Sequence, residues 1–380
     1  MIAQLNHPQV WMLILAWFIA DLGTPLVIRL CHRIGALDRP HTYKTHAAPV
    51  AILGGVAVFL AFAVAIFTIL RFPDWKAHTD VFAILGASFA VLVLGVFDSF
   101  RPMWAVAKLG VLLAITFGLS RFGVGLQLTG IAGLDLALTL LWVAGVSSAM
   151  NSLDNMDGAA SGTAAVASFW TFYVAWYAEP FGQVGTSFVA IALLGACLGF
   201  LRYNFATQPA RIFLGDSGSL FLGFLLAALM MKAGWAHGDR LKAILVPCAI
   251  LCVPLYDITL STLLRIVRGV VRGPIEAIVY CGRDHLSHRL VALGFSKREA
   301  VLLLHLMGMV GGTVGAILAR PGVGPAIYLP VTGACLVALA VLAVFLDRAP
   351  VYAPAAAPPA PAPAAEKPAP SSVEAGRMPA

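Results

Sequence analysis

Long apolar runs alternate with short polar clusters along this chain, and most of the basic residues fall in every second cluster. A helix of about 20 apolar residues is about 30 Å long, enough to cross the hydrocarbon of a bilayer. About eleven runs approach that length. They predict spans near 8–30, 50–70, 81–97, 105–120, 134–150, 158–178, 185–203, 217–233, 243–264, 299–318 and 326–346. The predicted fold is all-α, a polytopic integral membrane domain over 1–348 with a cytoplasmic-face cleft. The first run has no basic segment before it and is long enough to span, so it is expected to be a retained helix rather than a cleaved signal. From Ala349 to Ala380 the chain is Pro/Ala-rich, with too few large apolar residues to pack a core, and is expected to be a disordered tail.

Composition agrees with this pattern. Of 380 residues, 60% are hydrophobic and 11% charged. A soluble domain needs about 25% charged residues to cover its surface, so lipid must be the solvent here. The six cysteines lie mostly within apolar runs, without zinc or redox spacing, and read as small buried hydrophobes. The net charge of +7 is unevenly placed. With the N-terminus outside, the inner loops and the tail hold about 18 of the 25 Lys and Arg residues, and the positive-inside rule then puts those loops and the C-terminus in the cytoplasm. Basic loops there suit anionic lipid or an anionic substrate. No nucleic-acid motif accompanies them, so no nucleic-acid partner is expected.

The unusual polar residues gather on that inner side. The first inner loop carries Lys44, in "LDRPHTYKTHAAP". Asp98 ends "GVFD", and "NSLDNMDG" holds Asn151, Asp154, Asn155 and Asp157. The fourth inner loop supplies Asn204, Arg211 and Asp216, and "CGRDHLSHRL" supplies Arg283, Asp284, His285, His288 and Arg289. Several carboxylates at one face repel one another unless a cation sits among them. All candidate ligands are oxygens, which suits Mg²⁺ or Mn²⁺. Mg²⁺ takes one or two carboxylates and fills its octahedron with water and substrate phosphate, so a phosphorylated substrate is implied. "GDSGS" places Asp216 at a helix start, where free N–H groups suit a phosphate and Gly215 and Gly218 leave room for it. Lys44, Arg101, Arg211, Arg283 and Arg289 are candidates to neutralise phosphate oxygens. Plainer readings stand beside these. Asp21 and Asp257 suit helix packing, "GAASG" is a small-residue packing pattern, Asp216 suits a helix cap, and "RIVRGVVRG" suits a topology signal.

Taken in order, these pieces resemble the polyprenyl-phosphate N-acetylhexosamine-1-phosphate transferases. The likeness runs from about Asp38 to about Leu304 through "DRPHTYKTHAAPVAILGG", "GVFDSF", "NSLDNMDGAASG", "YNFATQPARIFLGDSGSLFLGF" and "DHLSHRLVALGFSKREAV". Eleven spans with an inner C-terminus match the GlcNAc-1-phosphate branch. The resemblance implies that undecaprenyl phosphate attacks the β-phosphate of a UDP-N-acetylhexosamine in the bacterial plasma membrane, releasing UMP. It implies Asp216 as Mg²⁺ ligand, with Asp154 beside it, and Asp98 as partner of the lipid phosphate. Asn151, Asp154, Asp157, Asn204 and Phe213 would line the nucleotide side, Phe213 stacking on uracil. Lys44 would meet the nucleotide or its phosphates. His285, His288, Arg283 and Arg289 would hold the sugar or the diphosphate. A homodimer is a further expectation from the family.

There are two departures. The family usually has adjacent aspartates after the third span, whereas this chain has Asp98–Ser99, so a second carboxylate is missing or comes from elsewhere. The histidine loop often reads His-x-His-His but here reads His285-Leu286-Ser287-His288, which also argues against the MurNAc-pentapeptide branch. Other readings of the residues stay open at this point: a transporter with carboxylate ion sites, a CDP-alcohol type phosphotransferase, or a catalytically inactive scaffold.

Overall fold

The computed structural model describes residues 8–39, 48–68, 79–178, 183–232, 235, 239–273, 276, 280 and 282–352. Helices carry nearly all of them, because in lipid every backbone N–H and C=O must be satisfied within the segment. In chain order they are α1 (Pro8–Ile34), α2 (Gly54–Phe67), α3 (Thr79–Phe100), α4 (Ala105–Ser120) and α5 (Ala132–Leu153). Next come α6 (Ala159–Tyr173), α7 (Val184–Leu201), α8 (Gly215–Lys232), α9 (Arg240–Ile250) and α10 (Cys252–Val267). The last three are α11 (Leu286–Ala292), α12 (Lys297–Leu318) and α13 (Pro325–Leu346). Among the described residues, seven helices are long and apolar enough to cross a membrane, or eight if α9 and α10 count as one bent span. The chain is an all-α polytopic membrane protein.

The helix α8 forms the centre. Every residue from Ser217 to Met231 is buried, against α2, α3, α5 and α6. At the other extreme, α13 buries only Tyr328 and Leu346, as suits a helix whose solvent is lipid. Small residues set the close approaches. Gly195 and Gly199 lie one turn apart on α7, and a Cβ on either would collide with α1 carbonyls, those of Leu13 and Trp17. Asp21 of α1 pairs with Arg202 at 2.8 Å, which is the packing role that an intramembrane carboxylate allows. The small-residue pattern after Asp157 also packs, with Gly158 against Phe205 and Gly162 against His305.

Two predicted spans take a different form. The run at 50–70 begins as a strand: β1 (Leu37–Asp38) pairs antiparallel with β2 (Val50–Ala51). Ala51 also bridges Ile212, so α2 starts only at Gly54 and has 14 residues. The run at 243–264 is no single helix, because α9 and α10 meet at 85°. Pro254 lacks an N–H for Ile250, and its ring crowds that carbonyl, so the helix breaks there. Hydropathy cannot register either event, since both segments remain apolar throughout.

Candidate functional site

The ends of α3, α4 and α8 meet in one cluster of charge. Asp98 lies in the last turn of α3, Lys108 in the first turn of α4, and Asp216 in the first turn of α8. The turn between α3 and α4 is short, so Lys108 returns beside Asp98. Its ammonium donates to Asp98 Oδ2 at 2.6 Å and to Asp216 Oδ2 at 3.1 Å. Asp98 Oδ1 accepts from the Met103 N–H at 2.7 Å. The Asp98 side chain is 6% exposed and that of Asp216 43%, so the first is an anchored group and the second can receive a ligand. Gly95 of α3 makes the approach possible, because a Cβ there would overlap Ser217 and the Asp216 carbonyl. Sequence reasoning missed Lys108. Its signal was present, since a lone lysine inside the apolar run "AVAKLGVLLA" is costly unless paired.

Asp154 caps the C-terminus of α5. Its carboxyl is pushed up to about 8, first by removal from water, then by the Asp216 charge and more weakly by Asp157, while the Gly215 N–H works in the opposite direction. The cluster thus carries more negative charge than Lys108 offsets. Its donors are all oxygens, and that set fits a hard divalent cation. Among the described residues, no group of three or more His, Cys, Asp or Glu is gathered as a metal site, so the fit is to a cation completed by substrate oxygens. Asn151 Oδ1 accepts from Ser219 at 2.7 Å, joining α5 to α8. Asp157 is exposed and Phe213 half-buried. The backbone of Phe213 is pinned, its N–H donating to Ala51 O and its carbonyl accepting from Gly54 N–H. Lys44 lies outside the described residues.

Asn204 is spent on the protein itself. Its Oδ1 accepts from Gly158 N–H and from Ser161, and its Nδ2 donates to Ile212 O at 3.0 Å. It clasps the start of α6 to the strand-like 210–213 segment. The glycines of the helix start also set backbone packing. Gly215, at φ +71°, makes room for the Ile52 carbonyl, and Gly218 for Leu214 and Gly55. Gly215 admits a backbone carbonyl, and Gly218 a leucine side chain and the Gly55 backbone, where the starts of α2 and α8 converge. The Ser99 hydroxyl donates back to Gly95 O at 2.9 Å within α3.

The histidine loop forms a second, buried network. His285 Nδ1 lies 2.9 Å from Asp257 Oδ2. Arg265 sits 3.3 Å from His285 Nε2 and holds both oxygens of Asp284 at 2.6 and 2.7 Å. An arginine only donates, so Nε2 accepts and the ring proton points from Nδ1 to Asp257. Asp257 therefore orients His285, a pairing that spacing along the chain conceals. Burial works upward on Asp284, but Arg265 and Tyr352 hold its carboxyl below the usual range. His288 is half-buried, and burial first, then the nearby Arg283 charge, lowers its pKa. Arg283 is exposed. Arg289 is fully buried and donates to Asp284 O and Tyr352 Oη, both at 2.7 Å. Ser287 donates to Asn155 Oδ1 at 2.6 Å, so this loop adjoins the one that carries Asp154 and Asp157.

The stretch that builds the carboxylate cluster is also where a protein family matches. The family model described as "Glycosyl transferase family 4" covers residues 81–234, from the first turn of α3 to just past the end of α8. The chain is similar to the "Probable undecaprenyl-phosphate N-acetylglucosaminyl 1-phosphate transferase" of Bacillus subtilis, 31% identical over 296 residues, 76% of this chain and 78% of that protein. It is similar to the "Decaprenyl-phosphate N-acetylglucosaminephosphotransferase" of Mycobacterium tuberculosis, 31% identical over 355 residues, 85% of each chain. A "Phospho-N-acetylmuramoyl-pentapeptide-transferase" of Oceanobacillus iheyensis matches at 24% over 330 residues, 80% of this chain and 96% of that protein.

Proposed function

This chain belongs to the polyprenyl-phosphate N-acetylhexosamine-1-phosphate transferases, in the N-acetylglucosaminyl branch of glycosyl transferase family 4, and on that premise we propose that its reaction takes place at the Asp98–Lys108–Asp216 cluster. The protein is a phosphotransferase that moves a hexosamine 1-phosphate from a UDP-sugar to undecaprenyl phosphate. An oxygen of the lipid phosphate bonds to the β-phosphorus of the donor. The bond from that phosphorus to the bridging oxygen breaks, and UMP departs with that oxygen. UDP-GlcNAc is the proposed donor, and the lipid-diphosphate sugar is the proposed first intermediate of a cell-surface polysaccharide.

The observation that carries this reading is the one lysine shared by two carboxylates, with the half-exposed Asp216 and the crowded Asp154 beside it. Phosphoryl transfer needs mainly positioning and neutralised charge. Asp216 and Asp154 would hold Mg²⁺, or Mn²⁺ in its place, which when bound supplies neutralisation of the diphosphate. Lys108 adds fixed positive charge next to the incoming phosphate. Asp98, whose oxygens accept from Met103 N–H and Lys108, aims Lys108 and is the proposed partner of the lipid phosphate. Asn151, Asp157, Phe213 and Lys44 serve the nucleotide, and Asn204 positions that side through Gly158 and Ile212. His285, His288 and Arg283 serve the sugar, while Arg289 holds their loop. Counting α2, α4 and α6 as shorter spans, and α9 with α10 as one, gives eleven. The basic loops and C-terminus then face the cytoplasm, with the N-terminus on the far side of the plasma membrane.

The test is UMP release by the purified protein in detergent with undecaprenyl phosphate, Mg²⁺ and single UDP-N-acetylhexosamines. Release that needs both lipid and metal, with UDP-GlcNAc the best donor, is the expected result. Release without lipid, or none with any UDP-sugar from folded protein, would overturn the assignment of the cluster.

A further inference from the structure

The stretch that follows α13 reads as the beginning of a structureless tail, yet Tyr352 is bonded into the histidine-loop network. Its hydroxyl donates to Asp284 Oδ2 at 2.7 Å and accepts from Arg289 Nη2 at 2.7 Å. The Arg289 guanidinium carbon lies 5.1 Å from the centre of the Tyr352 ring. Arg289 is fully buried, and its other described partners are carbonyl oxygens, those of Asp284 and of Leu346, the last residue of α13. The negative charge of Asp284 therefore reaches the Arg289 side chain through a single phenol. That phenol is held protonated, pushed up to about 12 by burial and by its bond to Asp284. A second tie sits a few residues earlier, where Arg268 holds both oxygens of Asp347 at 2.8 and 2.9 Å.

From this clasp the bonds lead directly to the loop. Asp284 is held by Arg265, Arg265 meets His285, and His285 is oriented by Asp257. Ser287, on the same loop, is tied to Asn155 beside Asp154. Resting on the reading that this loop serves the donor sugar, we propose that Tyr352 is a positioning residue, and that the stretch after α13 is a latch which sets the histidine loop for donor binding. The lipid phosphate does not depend on this loop in that reading, so the latch acts on one substrate and not the other. A merely structural role would not separate the two.

The experiment uses the full-length chain carrying Tyr352→Phe, which keeps the ring over Arg289 and removes only the hydroxyl. Three quantities are measured: KM for UDP-GlcNAc and for undecaprenyl phosphate, Tm in detergent, and hydrogen exchange of the amides of 284–290. The expected result is a KM for UDP-GlcNAc raised about tenfold, the order of one hydrogen bond to a charged group. The KM for the lipid, kcat and Tm stay unchanged, and exchange across 284–290 speeds up. Tyr352→Ala, which also removes the ring, enlarges the same selective defect. Unchanged donor KM and unchanged exchange in both variants would overturn the proposal, as would a fall of all kinetic constants together with Tm. Should the unaltered protein release no UMP, the catalytic assignment fails by itself, and exchange at 284–290 still decides whether Tyr352 latches the loop.

Discussion

At the Asp98–Asp216 cluster one ammonium is shared by two carboxylates, and Asp154 stands close enough to be driven toward its neutral form. At the Asp284 network each carboxylate has fitted donors: Arg265 takes both oxygens of Asp284, Tyr352 takes one as well, and Asp257 accepts from His285. Both clusters are built at helix ends, and the two loops touch through Ser287 and Asn155. The difference lies in charge balance. A network that is complete in the folded protein holds parts in place. A network left with surplus negative charge and a half-exposed carboxylate is completed by what binds to it.

The largest effects should break the first cluster. Asp216→Asn is expected to lower UMP release by about 10³-fold or more, with no rescue by added Mg²⁺, because it removes charge at the reacting groups. Near-normal turnover would take Asp216 out of the metal site. Asp98→Asn should lose most turnover while UDP-sugar binding, followed by calorimetry, persists; loss of nucleotide binding would move Asp98 to the nucleotide side. Arg265→Met tests the second cluster. Breaking a buried ion pair from one side costs about 3–5 kcal/mol, so this variant should unfold at clearly lower temperature in detergent. An unchanged Tm would mean that the buried pair is dispensable.

Lys108→Met sharpens the comparison. It should reduce kcat about 10²-fold, the scale for one charge-stabilising group, while Tm changes less than in Arg265→Met. A pH series separates the clusters by stability. Asp284 is held below its unfolded value of about 3.9. Its contribution is therefore complete above that value and is lost as the pH falls through the lower folded one. The full-length protein should lose Tm on acidification below about pH 4, and Asp284→Asn should flatten that limb. An identical acid limb in both would show that other groups set it. The smallest effect is expected from Ser99→Asp, less than tenfold on turnover, an amount worth about 1.4 kcal/mol. The Ser99 hydroxyl is already bonded to Gly95 O. Complete loss would mean that position 99 touches substrate.

Much of the site was legible residue by residue. Asp98, Asp154 and Asp216 stood out because carboxylates beside apolar runs are expensive, and the inner-loop bias of lysine and arginine placed them together. Lys108 was overlooked because reading favoured residues between runs, and it sits inside one. The glycines of "GDSGS" were recognised as space, and Ile52, Leu214 and Gly55 pack along their Cβ directions. The family resemblance implied substrate contacts for Asn204 and Arg289. Only their neighbours reveal that they bond to protein, and Gly158, Ser161 and Tyr352 lie at least 43 residues away along the chain.

Hydrophobic patterning alone determined that this chain lives in lipid as a helical bundle, since that outcome depends on the length and sign of each run and on no partner. The clustering of charge in alternate loops followed from the pattern in the same way. Tertiary structure decided which charges neutralise which. It broke the apolar run at Leu251 by 85°, turned Val50–Ala51 into a strand, drew Lys108 between two aspartates, and fastened Tyr352 to a loop 68 residues earlier. Apart from the break, which Pro254 makes locally, these rest on distances of about 3 Å between groups that folding brings together, and electrostatic and hydrogen-bond energies are settled by those distances and by burial, neither of which a linear pattern contains.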